Sequence, residues 1–442
     1  MTRTMLPGTS PAALHLARTL LARAYPQAAV SAEGRLAARH GWLTWAPPPG
    51  PLVWVHAASV GEALTATPVL IRLRAARANL RVALTYTSPS LARWPGSLVA
   101  DRADYLPPDD RTTMEAVFQH LHPAVVVFAR GDVWPGVVKA ARRHGIPVVL
   151  IGGTVRPASR RLRGPARLVL GNTYQSLAWC GAVSPADADR LGRLGVTPRA
   201  LRVTGDPRHD QVIERPVSLT WPLAVLRWAA GHAVTVAGST HPEDERVLLP
   251  AFGQVLNQVA GARLVLVPHT TDNADVQRIS RAAAALGLTH APLSLNPPPK
   301  ANLLVGTGLG ILADLYAAAM VAYVGGGFGG RLHAVAEPAA FGVPVMFGRQ
   351  HPGDWPADAE ALLQGGGGVV ESGGGVAELA GQWLRWLRHP AVACGAGLAA
   401  RGSLTDGAAG TTCEAILQLL NDAPLEGDRT RYHQPGADGG EQ

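Results

Sequence analysis

Lysine is almost missing from this chain. Of its 40 basic residues only Lys139 and Lys300 are lysines. The accompanying wealth of Ala, Gly and Pro makes a high-GC coding bias a simpler account of that choice than selection for the bidentate grip of guanidinium on phosphate. Cysteine is nearly as scarce. Cys180, Cys394 and Cys413 show neither CxxC nor Cys/His ligand spacing, which argues against a disulfide framework or a zinc site and fits a reducing cytoplasm. No run of about 18 uncharged apolar residues occurs, so no transmembrane span is expected, and no secretory signal is read at the N-terminus. Walker A sequence, nucleophile elbow and acidic metal cluster are missing too. Nucleotide-dependent group transfer without an obligatory metal remains open.

What is present has a strong internal asymmetry. A chain of 442 residues, 47% of them apolar, exceeds one ordinary core and is expected to form two domains of about 200 residues each. Residues 1–215 carry 27 Lys+Arg against 13 Asp+Glu and the remainder 13 against 19, so the front half is +14 and the back half −6. A front of that sign attracts polyanions such as nucleic acid, anionic lipid or a phosphorylated substrate. Within residues 11–25, Leu14, Leu16, Ala17, Leu20, Leu21 and Ala24 fill one side of a helical wheel, with His15, Arg18, Thr19 and Arg23 opposite. That pattern suits a helix lying on a membrane surface and equally one packed on its own domain.

Short apolar runs alternate with helical patterns. Strands are expected at residues 52–55, 81–85, 124–128, 147–151 and 202–204, and in a second series at 233–237, 263–267, 302–305, 321–324 and 344–347. This alternation predicts an α/β protein of two Rossmann-like domains, with parallel sheets facing a central cleft. The boundaries read as 1–210 for the basic domain and 211–420 for the second, with a disordered tail over 421–442. A proline-bearing linker near residues 205–222 contains Pro207, Pro216 and Pro222.

Four places carry candidate chemistry. The stretch from Tyr323 to Pro338 reads as a strand, a glycine turn and a helix, a phosphate cradle in which glycine amides and the helix dipole meet an anion. His333 and Glu337, four apart, are expected on one helical face, giving a cation-capable group and an acceptor for ribose hydroxyls. Glu62 follows the first strand at the ligand edge of the sheet, where a carboxylate could act as a general base. Ser59-x-x-Glu62 is equally a capping box, and the helix N-terminus would keep the carboxylate ionised and a weak base. Ser239-Thr240-His241-Pro242-Glu243 reads as a second helix start able to hold phosphate, with Thr240 and Glu243 at capping-box spacing. Pro268-His269 lies at the equivalent edge of the next strand.

In order, the chain carries His56-Ala-Ala-Ser-Val-Gly-Glu62, Thr85-Tyr-Thr-Ser-Pro-Ser90, Tyr105-Leu-Pro-Pro-Asp109, Asp132-Val-Trp-Pro135, Gly205-Asp-Pro-Arg-His-Asp210, Gly238-Ser-Thr-His241, Val267-Pro-His269, Gly308-Leu-Gly-Ile-Leu312 and the glycine turn. With this set it resembles the 3-deoxy-D-manno-octulosonic acid (Kdo) transferases, in the branch with GGGFG before its His. These are GT-B glycosyltransferases that move Kdo from CMP-Kdo to lipid A precursor in lipopolysaccharide biosynthesis of the cell envelope. The likeness spans about residues 33–420. It implies Glu62 as the catalytic base and Ser59, Gly61, Thr87, Ser88 and Asp132 at the acceptor pocket. It implies Ser239, Thr240, Pro268, His269, Gly326, Gly327, His333 and Glu337 at the CMP-sugar donor. No metal or other cofactor is implied, CMP-Kdo being a substrate. The implied partners are the CMP-sugar, an anionic glycolipid and a membrane surface met by the basic domain at the cytoplasmic face, with no nucleic acid. The chain departs from the family pattern at Ala334 after His333, at Thr307, at Asp132 and at Arg130. Epimerisation or hydrolysis of a nucleotide sugar, with UDP in place of CMP, would use the same fold, as would a catalytically silent sugar-nucleotide binder, against which the retained Glu62 argues.

Overall fold

The sequence LVWVH buries all five of its residues as β1 (Leu52–His56). Such continuous apolar runs are what a strand covered on both faces requires. In the computed structural model the described residues are 26–93, 99–270, 272–306, 310–329, 332–348, 356–371 and 375–422. The amphipathic segment 11–25, Thr307 and the expected tail beyond Asp422 lie outside them. The chain divides into two units, residues 1–211 with 406–442, and residues 212–405.

In the first unit β1 is followed by β2 (Arg81–Tyr86), β3 (Arg102–Tyr105), β4 (Val125–Ala129), β5 (Val148–Gly153), β6 (Trp179–Ala182) and β7 (Leu201–Val203). They form one sheet in the order β3-β2-β1-β4-β5-β6-β7. Every pairing is parallel, with Val53 opposite Val82 on one side and Val125 on the other. Side chains of β1 alternate between two cores. Trp54 joins Phe118 and Phe128, while Val53 and Val55 join Leu70, Leu73 and Val82. Helices therefore cover both faces, as the α/β expectation requires.

The second unit repeats the plan with β8 (Val234–Thr240), β9 (Arg263–Pro268), β10 (His290–Pro292), β11 (Leu303–Val305), β12 (Val321–Val324), β13 (Val345–Gly348) and β14 (Gly368–Glu371). Their order is β10-β11-β9-β8-β12-β13-β14, again wholly parallel. Each expected strand is present within a few residues of its expected bounds. Four were not expected: β3, β6, β10 and β14.

The domain bounds need a correction at the C-terminal end. Residues 406–420 were expected in the second domain, yet the helix Ala408–Asp422 places Ala409, Cys413, Ile416 and Leu420 in the core beside Leu70 and Leu73 of the first unit. Asp210 holds the start of this helix, its carboxylate accepting from Gly407 N at 2.9 Å and Ala409 N at 3.0 Å. That last aspartate of the Gly205–Asp210 motif is fully buried and anchors a helix nearly 200 residues away in sequence. Part of the proline-bearing linker is itself helical, over Pro207–Glu214.

Candidate active site

In each sheet there is one place where the chain leaves a strand for opposite neighbours: between β1 and β4, and between β8 and β12. Loops at the carboxyl ends of such strands part and leave a crevice. The residues singled out from sequence concentrate at these two points.

In the first unit, Glu62 stands in the first turn of the helix Val60–Ala76, whose N-cap Ser59 is extended and makes no side-chain cap bond. Only the glutamate half of the expected capping box forms, and it is displaced by one residue: Glu62 Oε2 accepts from Ala58 N at 2.6 Å. Ala58 is braced from its other side, its carbonyl accepting from Ser88 N at 2.9 Å and from Thr87 Oγ1 at 3.4 Å. Thr87 and Ser88 thus hold the loop that holds Glu62. A Cβ at Gly61 would meet nothing within 4 Å, so the backbone just before Glu62 faces open space.

Burial pushes the Glu62 carboxyl up to about 7, with the Ala58 amide, Arg130 and Arg161 opposing and the nearby Asp132 charge assisting. This corrects the expectation of an ionised, weak base at a helix N-terminus. Desolvation outweighs the dipole and the amide together. A carboxylate poised near neutrality is a far better proton acceptor than one at its ordinary value.

Beside it, a cavity of about 250 Å³ is lined by Asp132, Trp134, Pro135, Arg161, Leu170 and Tyr174. Arg161 donates to Tyr174 Oη at 3.0 Å and to the Gly131 carbonyl. Partial desolvation raises the Asp132 carboxyl, against the pull of the Arg161 and Arg35 charges. Arg130, at φ 67°, is fixed by Asp206 at 3.0 Å. Desolvation works to raise the Asp206 carboxyl, but the flanking Arg208 and Arg130 charges prevail and hold it well below the usual carboxylate range. Arg35 lies over the Trp134 ring, 4.5 Å from its centroid. His56 has a structural part. Trp134 Nε1 can only donate, so His56 Nε2 accepts it at 3.0 Å and the proton sits on Nδ1, facing Thr85 Oγ1 at 3.0 Å. Burial and the Arg35 charge bring His56 down to about 3, so it stays neutral. Arg161 and Tyr174 escaped the sequence reading. The run Arg160-Arg161-Leu162-Arg163 after β5 was the available signal.

The second unit overturns part of the phosphate-cradle expectation. Among the described residues the helix that follows the glycine turn is Ala336–Ala340, five residues long. His333 precedes it and is extended into the turn, its N–H donating to Gly325 O at 3.1 Å. His333 and Glu337 therefore do not share a helical face, and the dipole of a long helix is not available. The glycines answer to packing. A Cβ on Gly325 would lie 2.2 Å from Ser239 O, and one on Gly327 2.1 Å from Gly348 O. The Gly326 amide, at φ 93°, donates to Asp244 Oδ2 at 2.8 Å.

The second helix start also differs. Its N-cap is His241, whose N–H is met by Asp244 Oδ2 at 2.8 Å; the expected Thr240/Glu243 box does not form. Thr240 is buried and its hydroxyl bonds Glu245 at 3.1 Å, so this side chain is turned away from any ligand. Ser239 kinks the end of β8 at φ 54°, where the register to β9 shifts. The kink carries His241 toward His269 and His333, and the three rings cluster with centroids 4.5–5.2 Å apart. Burial and the neighbouring His241 lower the His269 value. Pro268 ends β9 and directs His269 outward. Glu337 is half-buried, and burial raises its carboxyl against the charge of Arg215.

A family model described as 3-deoxy-D-manno-octulosonic-acid transferase (kdotransferase) matches residues 34–211. The 3-deoxy-D-manno-octulosonic acid transferase of Bordetella pertussis is 30% identical over 329 residues, covering 68% of this chain and 72% of that protein. The chain belongs to the Kdo transferase family. The Haemophilus influenzae protein of the same name is 24% identical over 338 residues, 75% of this chain and 78% of that one. The crystal structure of UDP-GlcNAc 2-epimerase from Neisseria meningitidis bound to UDP-GlcNAc aligns with a TM-score of 0.59 over 84% of this chain and 100% of that one, at 15% identity. That likeness speaks for the shared GT-B fold alone. Among the described residues no helix of this Kdo transferase is long and apolar enough to cross a membrane.

Proposed function

We propose that Glu62 is the general base of Kdo transfer in this protein. Membership of the family makes it a glycosyltransferase that moves Kdo in lipopolysaccharide biosynthesis, with a sugar donor and a glycolipid acceptor. The observation that carries the assignment is a half-buried carboxyl group, raised to about 7 by that burial, at the β1/β4 crevice and within reach of the Asp132, Arg130 and Arg161 charges. The acceptor hydroxyl gives its proton to Glu62 as its oxygen attacks the anomeric carbon of Kdo. The bond from that carbon to the phosphate oxygen breaks and CMP leaves with the electron pair. Glu62 then returns the proton to water. Positive charge develops at the anomeric carbon in the transition state, so charge placement around the sugar and the leaving phosphate supplies much of the acceleration.

The first unit binds the acceptor, with Ser59, Gly61, Thr87 and Ser88 forming and bracing the loop of the base and with Asp132 and Arg161 lining the cavity. The second unit binds CMP-Kdo through His269, His333, Glu337 and the backbone of residues 239–240 and 268, with Gly326 and Gly327 shaping the turn beside them. The transfer chemistry is assigned to these side chains, with no cofactor taking part. The +14 charge of residues 1–215 suits a phosphorylated glycolipid in an anionic membrane and supports a peripheral location at the inner face of the cell membrane. Thermal unfolding with CMP, UDP and AMP tests the donor: CMP is expected to raise the melting temperature most, and equal shifts for all three overturn the assignment. Incubation with CMP-Kdo and a lipid A precursor is expected to release CMP and extend the glycolipid; an unchanged acceptor overturns the reaction.

A further inference from the structure

Sequence spacing gave no sign of a metal site, because the three residues concerned are 28 and 64 positions apart. Parallel strands bring them together. His241 follows β8, His269 follows β9 and His333 follows the β12 turn, all at the carboxyl edge of one sheet. His241 and His333 lie end to end with ring planes within 13° of each other and centroids 5.2 Å apart, so their Nε2 atoms face each other at 3.0 Å. His269 completes the group, and one nitrogen of each ring lies within 4.8 Å of the other two.

We propose that His241, His269 and His333 form a three-imidazole site for a divalent transition-metal cation of the zinc class. Nitrogens bound to one zinc ion at 2.0–2.1 Å stand about 3.3 Å apart in a tetrahedron. The His241–His333 pair meets that spacing within a few tenths of an ångström, a modest tilt of the two end-on rings turns both lone pairs to one point, and the exposed His269 ring closes the third side by rotation of its side chain. The donor set selects the class of cation. The adjacent Asp244 is engaged by His241 N, Gly326 N and Tyr323 Oη, and Asp275 by Thr270 and Arg278. Among the described residues the ligand atoms within reach of one another are the three imidazole nitrogens with no carboxylate oxygen, a donor set that suits zinc, copper or nickel and not magnesium or calcium. On binding, the proton shared by the two facing Nε2 atoms moves to Nδ1 of its own ring or to water, and the metal takes both lone pairs. The exposed side leaves room for a water or an anionic oxygen as a further ligand.

The site shares His269 and His333 with the proposed donor set but does not rest on the transferase reading, since binding is measured without substrate. Untagged full-length protein, stripped with chelator, is titrated with Co²⁺ and followed by its visible d–d absorption. One equivalent is expected to bind, giving the intense bands of a low-coordinate nitrogen site, and Zn²⁺ is expected to displace it. His269→Ala, at an exposed ring, and His333→Ala are each expected to weaken binding about a hundredfold with melting temperatures close to wild type. No bands at millimolar Co²⁺, or equal bands in both variants, overturn the site. Kdo transfer by the stripped protein, measured in parallel, reports on the enzymatic reading separately.

Discussion

Replacing Glu62 by Gln should make the protein more stable and nearly inactive, and the two effects should separate by pH. The folded state holds the Glu62 proton more tightly than the unfolded chain, so ionising it costs folding free energy. The cost is absent below about pH 4.5, grows from there to about 7 and is complete above 7. A change from 4.5 to about 7 corresponds to at most about 3 kcal/mol, and screening of a partly exposed group reduces this to about 1–2 kcal/mol. Glutamine still offers Ala58 N an acceptor while removing the charge. The melting temperature of Glu62→Gln should therefore match that of wild type near pH 4.5 and exceed it by about 3–6 °C at pH 8. Transfer from CMP-Kdo should fall about 10²–10⁴-fold, and wild-type kcat/KM should rise with pH to a plateau above about 7. A Glu62→Gln variant that transfers at the wild-type rate would refute the base assignment. A melting-temperature gap that is the same at pH 5 and pH 8 would refute the burial account of the raised carboxyl.

Two further perturbations probe the surroundings. The Arg161 charge holds Glu62 down, so Arg161→Gln should move the midpoint of the pH–rate profile above that of wild type; an unmoved midpoint means that the guanidinium does not act on the base. Gly327→Ala drives a Cβ to 2.1 Å from a backbone oxygen and should cost about 3 kcal/mol or more in urea unfolding, whereas Gly61→Ala, facing open space, should unfold like wild type. Equal stability of the two alanine variants would contradict the packing role of the glycine turn.

What could be read from the sequence follows from which physical signal each element leaves in it. Apart from the edge strand β7, the expected strands are apolar runs because sheets covered on both faces demand them. The four missed strands have weaker reasons to be apolar. β3, β10 and β14 are edge strands, RADY burying no residue fully and HAP only Ala291, and β6 lies next to the edge strand β7. Motif order located both crevices, because loops at strand ends keep their place in the chain whatever their conformation. It could not give the conformations. GGGFG reads as a phosphate cradle, yet its glycines are needed where two backbones approach within a Cβ radius, and the amide of Gly326 is taken by Asp244. Asp210 shows the same limit: a motif residue at a domain boundary reads as functional, while its carboxylate caps a helix from the far end of the chain. Glu62 marks the sharpest division. Its position was legible as the third residue of a helix after a first strand, and from position alone the helix dipole predicts an ionised, weak base. Its setting comes from three loops: Ala58 binds the carboxyl group, Thr87 and Ser88 brace Ala58, and Asp132 adds its charge. Only their assembly turns a capping residue into a group that titrates where a base must.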